Sequence, residues 1–391
     1  MASLPAPDDV LDALRGVIDP ELGADIVELG MARSATVGDD GAARVTVALT
    51  TAGCPLRAQL MRDIESRAGG LPGVTSVAID WTEMTSEQKS AAMDVARRSA
   101  QDSAGPNAVP TGARVLAVAS GKGGVGKSSI TANLAAALAQ RGYAVGVLDA
   151  DIWGFSIPRM LGLEGRLAAD ATDDGGRRIR PHVVPMGPGR LEVVSMGLLV
   201  DDETDALMWR GLILNRAVQH FLQDVAWADD LDYLVIDLPP GTGDVQMGLA
   251  RMLPQAEMLV VTTPALGAQR VASRAVTMAR KSHLHVLGVI ENMSAFRCEH
   301  GELHAVFGEG GGAALAAEAE VPLVGSVPLE PAVSAGGDRG TPIALGTGDA
   351  ADAFRAIADR ILDDLAPPVS MAGCSARMLA AATAALDAAG A

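Results

Sequence analysis

The chain has 391 residues, enough for two or three domains that each bury a core. Its 48 acidic against 31 basic residues give a formal charge of −17, which argues against a general nucleic-acid or anionic-membrane surface. No apolar run approaches the roughly 18 residues of a membrane span, and Met1–Asp9 lacks a basic segment followed by an apolar one. The expectation is a cytoplasmic protein with neither nucleic acid nor membrane as partner. Cys54, Cys298 and Cys374 are too few and too scattered for a disulfide framework, so any role they have is reactive or metal-binding.

Residues 1–98 read as a small α/β domain. Val10, Leu11, Leu14, Val17 and Ile18 mark an amphipathic helix ended by Asp19-Pro20. Val45, Val47 and Leu49 alternate as a half-buried strand, Leu56, Leu60 and Ile64 define a second helix, and Val77, Ile79 and Trp81 a second strand. Pro55 suits a first helical position, which leaves Cys54 at a helix N-terminus. There the macrodipole favours the thiolate; a small buried capping residue is the equal alternative. Thr85 to Arg98 reads as a helix with a Thr85/Gln88 capping box. Residues 99–113, polar and rich in Pro and Gly, read as a linker.

From Arg114 apolar strands alternate with helices, the pattern of a parallel sheet with helices on both faces. The expected strands are Val115–Ala119, Ala144–Leu148, Leu191–Ser195, Tyr233–Asp237, Met258–Thr262, Val286–Ile290 and Leu323–Val327. Between the first strand and a helix with Ile130, Leu134, Ala137 and Leu138 on one face lies Gly121-Lys122-Gly123-Gly124-Val125-Gly126-Lys127-Ser128-Ser129. This is the phosphate-loop spacing in its required context. Glycines let backbone N–H groups converge on phosphate oxygens at the positive end of the helix. Lys127 would reach the β- and γ-phosphates, and Ser128 would ligate Mg²⁺. Lys122, just after the first glycine, is useful only if it contacts phosphate itself.

Ligands in such sheets bind beyond the strand C-termini, and two further aspartates lie there. Asp151 follows the second strand, where it can orient a water; a helix N-cap is the simpler reading of that residue alone. Asp237 ends the fourth strand, the arrangement that holds Mg²⁺ through water, and Gly241 beyond it can offer its N–H to a γ-phosphate. Each signal alone is weak. Three on successive strand-to-helix turns are strong.

Several segments carry a family resemblance. The Lys-Gly-Gly-x-Gly-Lys-Ser loop resembles the deviant Walker A loop of the MinD/ParA/Mrp branch of P-loop NTPases. Residues 149–162, Met208-Trp209-Arg210-Gly211, Asp237–Asp244, Glu291-Asn292-Met293-Ser294 and Val324–Leu329 resemble the Mrp/ApbC family of iron–sulfur carrier ATPases. Asp19-Pro20-Glu21 and Thr51–Leu56 resemble the small domain shared with iron–sulfur assembly factors of the SufT kind. The resemblance implies a homodimer in which Lys122 acts across the interface, Asp151 positions water and Asn292 contacts adenine. The family holds its cluster with a Cys-x-x-Cys beginning at Cys298, yet position 301 is glycine, so the usual two thiolates per subunit are absent. His300 and His304 lie nearby, and a thiolate with imidazole can hold an iron–sulfur cluster or Zn²⁺. A solvated loop that has lost its ligands is the alternative.

The P-loop ATPase domain is expected over residues 114–366, followed by an Ala-rich tail, 367–391, with a helix near 375–388 and no basic face. The sequence thus implies a slow, switch-like ATPase that uses ATP and Mg²⁺ and carries iron–sulfur clusters, with apoprotein clients and assembly machinery as partners. Two alternatives stand beside it: a nucleotide-dependent scaffold of the same family without a cluster, and a MinD/ParA-like spatial organiser.

Overall fold

The computed structural model describes residues 4–19, 22, 24–50, 57–103, 108–151, 154–171, 177–198, 219–241, 244–282 and 284–369. Cys54, Met208–Gly211, Cys374 and the expected tail helix lie outside them. The chain divides into two compact units, one of Met1–Ala104 with Leu253–Gln255, the other of Gly105–Met252 and Ala256–Ala391.

In the first unit, helix α1 (Pro7–Ala13) precedes strands β1 (Ala32–Val37) and β2 (Ala42–Leu49), helix α2 (Arg57–Gly69), strand β3 (Ser76–Glu83) and helix α3 (Ser86–Ser103). The strands form a sheet of order β1-β2-β3, with β1 antiparallel and β3 parallel to β2. Val10, Leu14, Val17, Val45, Val47, Leu60 and Ile64 form its core. The first helix stops earlier than its apolar spacing suggests, because Gly16 sits at φ +86° and turns the chain, and Ile18 bridges Asp25 instead. The capping box forms as read. The Thr85 N–H donates to Gln88 Oε1 at 3.0 Å, and the Gln88 N–H donates to Thr85 Oγ1 at 3.3 Å. The helix it starts runs on to Ser103, into the stretch expected as linker.

The second unit begins with β4 (Arg114–Ser120), α4 (Lys127–Gln140), β5 (Ala144–Asp149), α5 (Ile157–Met160), β6 (Ala168–Ala171), β7 (Arg177–Arg180), β8 (His182–Met186) and β9 (Gly189–Ser195). Next come β10 (Tyr233–Asp237), α6 (Asp244–Met252), β11 (Glu257–Thr262), α7 (Leu266–Lys281), β12 (His285–Asn292) and the short strands β13 (Phe296–Arg297) and β14 (Leu303–His304). Last are α8 (Gly311–Glu318), β15 (Leu323–Val327), α9 (Pro331–Asp338) and α10 (Asp349–Arg360). The main sheet has order β15-β12-β11-β4-β10-β5-β9-β8. All expected strands are present and parallel, so the fold is the α/β parallel-sheet type read from the sequence. The antiparallel edge strand β8 was not expected; its alternating exposure and Pro185 suit an edge and hide it from a search for apolar runs.

Both sheet faces are covered. Leu116, Val118, Val145, Val147 and Val235 pack with α4 and α10 on one face, and α7 and α8 lie against β11 and β12. Helix α4 is buried nearly all round from Ile130 to Ala139, not on one stripe, because it lies between the sheet and α10. Ala132, Ala135, Ala136, Ala137 and Ala139 permit that close approach.

Candidate functional site

Register brings the acidic residues together. Asp237 is the neighbour of Val118 on β4 and of Asp149 on β5, and Asp149 is the neighbour of Ser195 on β9. The strands end level with one another, so their last residues share one rim beside the loop of residues 121–126. That loop admits glycine alone at two places. A Cβ on Gly121 would lie 2.3 Å from the backbone carbon of Val271. On Gly126, at φ +80°, a Cβ would lie 2.2 Å from Asn292 Nδ2. Gly126 caps α4, whose first-turn N–H groups have no partner within the helix.

Lys127 is turned inward, with 6% of its side chain exposed. Its Nζ lies 2.8 Å from Asp237 Oδ2 and 3.7 Å from Asp151 Oδ2. Ser128 Oγ donates to Asp237 Oδ2 at 2.6 Å, and Thr131 Oγ1 lies 2.8 Å from Asp237 Oδ1. Thr131 was not singled out in the sequence, although four residues after Lys127 is the same helix face. Behind them Asp149 is fully buried. It accepts from the N–H groups of Asp151, Ser156 and Ile157 at 3.2–3.3 Å and from Ser195 Oγ at 3.0 Å. Burial, reinforced by the neighbouring Asp237 charge, pushes its carboxyl up to about 7. Burial also raises Asp151, against the opposing pull of Lys127.

One lysine facing Asp149, Asp151 and Asp237 leaves the rim short of positive charge. Paired hard oxygens at Ser128 and Asp237 fit Mg²⁺, which takes one or two protein ligands and completes its shell with water and phosphate. Lys122 is exposed. Its carbonyl accepts from Ser120 Oγ at 3.0 Å. The Gly241 N–H, expected to face a phosphate, donates here to the Ser120 carbonyl at 2.9 Å. Asn292 Nδ2 donates to the Val125 carbonyl at 2.9 Å, so this residue props the loop. Beside it Gly126, Ser129, Asn292, Met293, Pro328 and Leu329 border a cavity of about 250 Å³.

The second cluster is the β13–β14 hairpin. Phe296 pairs with His304 and Arg297 with Leu303; the Cys298 N–H donates to the Glu302 carbonyl and the Gly301 N–H to the Cys298 carbonyl, both at 2.9 Å. Gly301 turns the chain at φ +82°, a conformation that a cysteine would adopt only with strain. Cys298, Glu302 and His304 offer a sulfur, an oxygen and a nitrogen that all lie within 4.8 Å of one another. The His304 ring, hydrogen-bonded to the sulfur, holds the Cys298 thiol below its ordinary value, aided by the His300 and Glu302 backbone. His300 does not join the group. It sits at the turn, 80% exposed, its Nε2 3.8 Å from a Glu299 oxygen. Glu302 was missed because a lone carboxylate between a glycine and a leucine carries no local signal.

Among the described residues no helix is long and apolar enough to cross a membrane. Residues 112–362 match the family described as NUBPL iron-transfer P-loop NTPase, and residues 7–81 match the iron–sulfur cluster assembly protein family. An iron–sulfur cluster carrier protein of Mycobacterium tuberculosis is 44% identical over 346 residues, covering 87% of this chain and 88% of its own length. One from Synechocystis is 40% identical over 369 residues, covering 93% and 98%. A nucleotide-binding protein of Archaeoglobus fulgidus, solved with ADP and with cobalt found in it, superposes with a TM-score of 0.52 at 34% identity. It covers 66% of this chain and 95% of its own. With more than half its length matched and near full-length relatives above 40% identity, the chain belongs to the NUBPL-type iron-transfer P-loop NTPases and carries an iron–sulfur assembly domain ahead of the NTPase unit.

Proposed function

We propose that this protein is a cytoplasmic, homodimeric ATPase that carries iron–sulfur clusters to apoproteins, with nucleotide turnover as its switch. The observation that carries the reading is the convergence of Lys127, Ser128, Asp151 and Asp237 on one rim beside a glycine-rich loop. The proposed functional division is residues 1–98 for assembly, 99–113 as linker, 114–366 as the ATPase and 367–391 as tail. In the ATPase, backbone N–H groups of residues 123–128 bind the phosphates, and Ser129 and Asn292 border the space for the base. Ser128 and Asp237 would hold Mg²⁺, which supplies the positive charge that Asp237 otherwise draws from Lys127. Lys127 is then available to the β- and γ-phosphates, and Asp151 orients the attacking water. Gly241 exchanges its bond to Ser120 for one to the γ-phosphate, which couples the loop to hydrolysis.

In the dimer Lys122 would reach the partner subunit's nucleotide. Lys122→Ala is expected to keep ATP affinity within a few-fold and to lower turnover about a hundredfold, the usual cost of one transition-state donor. Mixing it with Asp151→Ala protein, which retains Lys122, should restore part of the ATPase rate through heterodimers. An unrestored rate in verified heterodimers would confine the lysine to its own subunit.

Cluster carriage is tested by anaerobic reconstitution with iron and sulfide. The expected product is brown, with broad sulfide-to-iron absorption that Cys298→Ala removes, and it passes its cluster to an apoferredoxin. Gly301, which offers no ligand, favours one second reading: a nucleotide-dependent scaffold without cargo. A colourless product with normal ATPase activity would establish that reading instead.

A further inference from the structure

We propose that Cys298, Glu302 and His304 form a mononuclear site for a borderline divalent cation, Fe²⁺ or Zn²⁺, with one ion bound per chain. The hairpin builds it. Pairing of Phe296 with His304 and Arg297 with Leu303, extended by the Cys298–Glu302 hydrogen bond, places residues 296, 298, 302 and 304 on one face. Arg297 and Leu303 belong to the other face, where Arg297 Nε holds Asp349 at 2.7 Å. The Phe296 and His304 rings lie 6.4 Å apart and tilted by 31°, which limits the orientations of the imidazole. His300, at the turn, belongs to neither strand and is left out.

The donor chemistry selects the ion. A thiolate with an imidazole and a carboxylate suits Zn²⁺ and Fe²⁺, whereas Mg²⁺ and Ca²⁺ take oxygen sets. Bond lengths of about 2.0–2.3 Å put tetrahedral donors about 3.5 Å apart. The ligand atoms of the three side chains, already within 4.8 Å of one another, therefore close on an ion by small torsional adjustments of exposed and half-exposed groups. Three protein ligands leave a fourth position for water, sulfide or a donor from another molecule, the arrangement of an exchangeable site and not of a closed structural one. A cargo ion can therefore be taken up by a single chain, before sulfide arrives and without a second thiolate at position 301. The inference rests on the carrier reading only for the role of the ion as cargo.

The test uses the full-length protein, reduced and anaerobic, titrated with Co²⁺ in the absence of sulfide. The expected result is one cobalt per chain, a thiolate-to-cobalt charge-transfer band and strong visible bands of a four-coordinate ion, all bleached by Zn²⁺. Cys298→Ser should abolish the charge-transfer band. Glu302→Gln and His304→Ala should each weaken cobalt affinity at least about tenfold and shift the visible bands. His300→Ala should change neither. These are exposed or half-exposed positions, and circular dichroism of each variant checks that it is folded. Half a cobalt per chain, a charge-transfer band that survives Cys298→Ser, or equal affinity in Glu302→Gln and His304→Ala would each overturn the proposal. Iron–sulfide reconstitution separates the two ideas. Cobalt binding as described without any cluster would leave this site standing and the carrier reading failed. A cluster formed on a protein that shows no such cobalt site would do the reverse.

Discussion

Lys127→Ala is expected to lower ATP affinity at least about a hundredfold and to bring hydrolysis to background. The lysine is 6% exposed and serves a site where water screens little. Removing one member of such a buried charge pair costs about 2–5 kcal/mol, so the phosphates lose most of their fixed positive charge. The same change acts on the protein without nucleotide. Lys127 now opposes the rise of the Asp149 and Asp151 carboxyls, and its loss pushes both further up. Calorimetric titration with ATP and Mg²⁺ measures the first effect. Affinity within a few-fold of wild type would refute the phosphate-binding role. Lys127→Arg, which keeps the charge but not the compact ammonium, should recover part of the affinity if charge is what matters.

The second large effect is on stability against pH, through Asp149. Its carboxyl lies at 3.8 in an unfolded chain and at about 7 in the folded one, so the folded state holds the proton more tightly. That contribution to stability is fully present below about pH 4 and is lost as pH rises to about 7. The difference amounts to about 4 kcal/mol at most. Asp149→Asn keeps the shape and cannot ionise. Its amide nitrogen must take the place of one oxygen and face a donor, such as the Asp151 N–H, at a cost of about 1–3 kcal/mol. The variant should therefore be the less stable protein at about pH 4, where the wild type still keeps most of this contribution, and the more stable one at about pH 8, by denaturant unfolding of the NTPase unit. Parallel stability curves would mean that the N–H groups of Asp151, Ser156 and Ile157, with Ser195, keep Asp149 ionised throughout.

Asp149 was quoted in the sequence motif but given no role, and the reason is instructive. It and Asp237 become neighbours through the pairing of strands 88 residues apart in the chain, and no local pattern records that register. Asn292 shows the same limit. Its resemblance-based role concerns a base, while its position also makes it the prop beneath Val125, a contact spanning 167 residues.

What the sequence determined by itself is whatever depends on a few adjacent residues. The glycine loop, the apolar strands that precede Lys127, Asp151 and Asp237, and the Thr85/Gln88 cap follow from turn chemistry, burial of continuous apolar runs and local hydrogen bonding. These preferences operate within one or two turns of chain. The edge strand β8 and the placement of His304, and not His300, beside Cys298 were decided by tertiary structure. In the hairpin Gly301 takes a left-handed turn, cross-strand pairing then puts Glu302 and His304 beside Cys298, and the nearer histidine in sequence is carried out to the turn. Nearness along a chain and nearness in space part company wherever the chain reverses direction, and it reverses there.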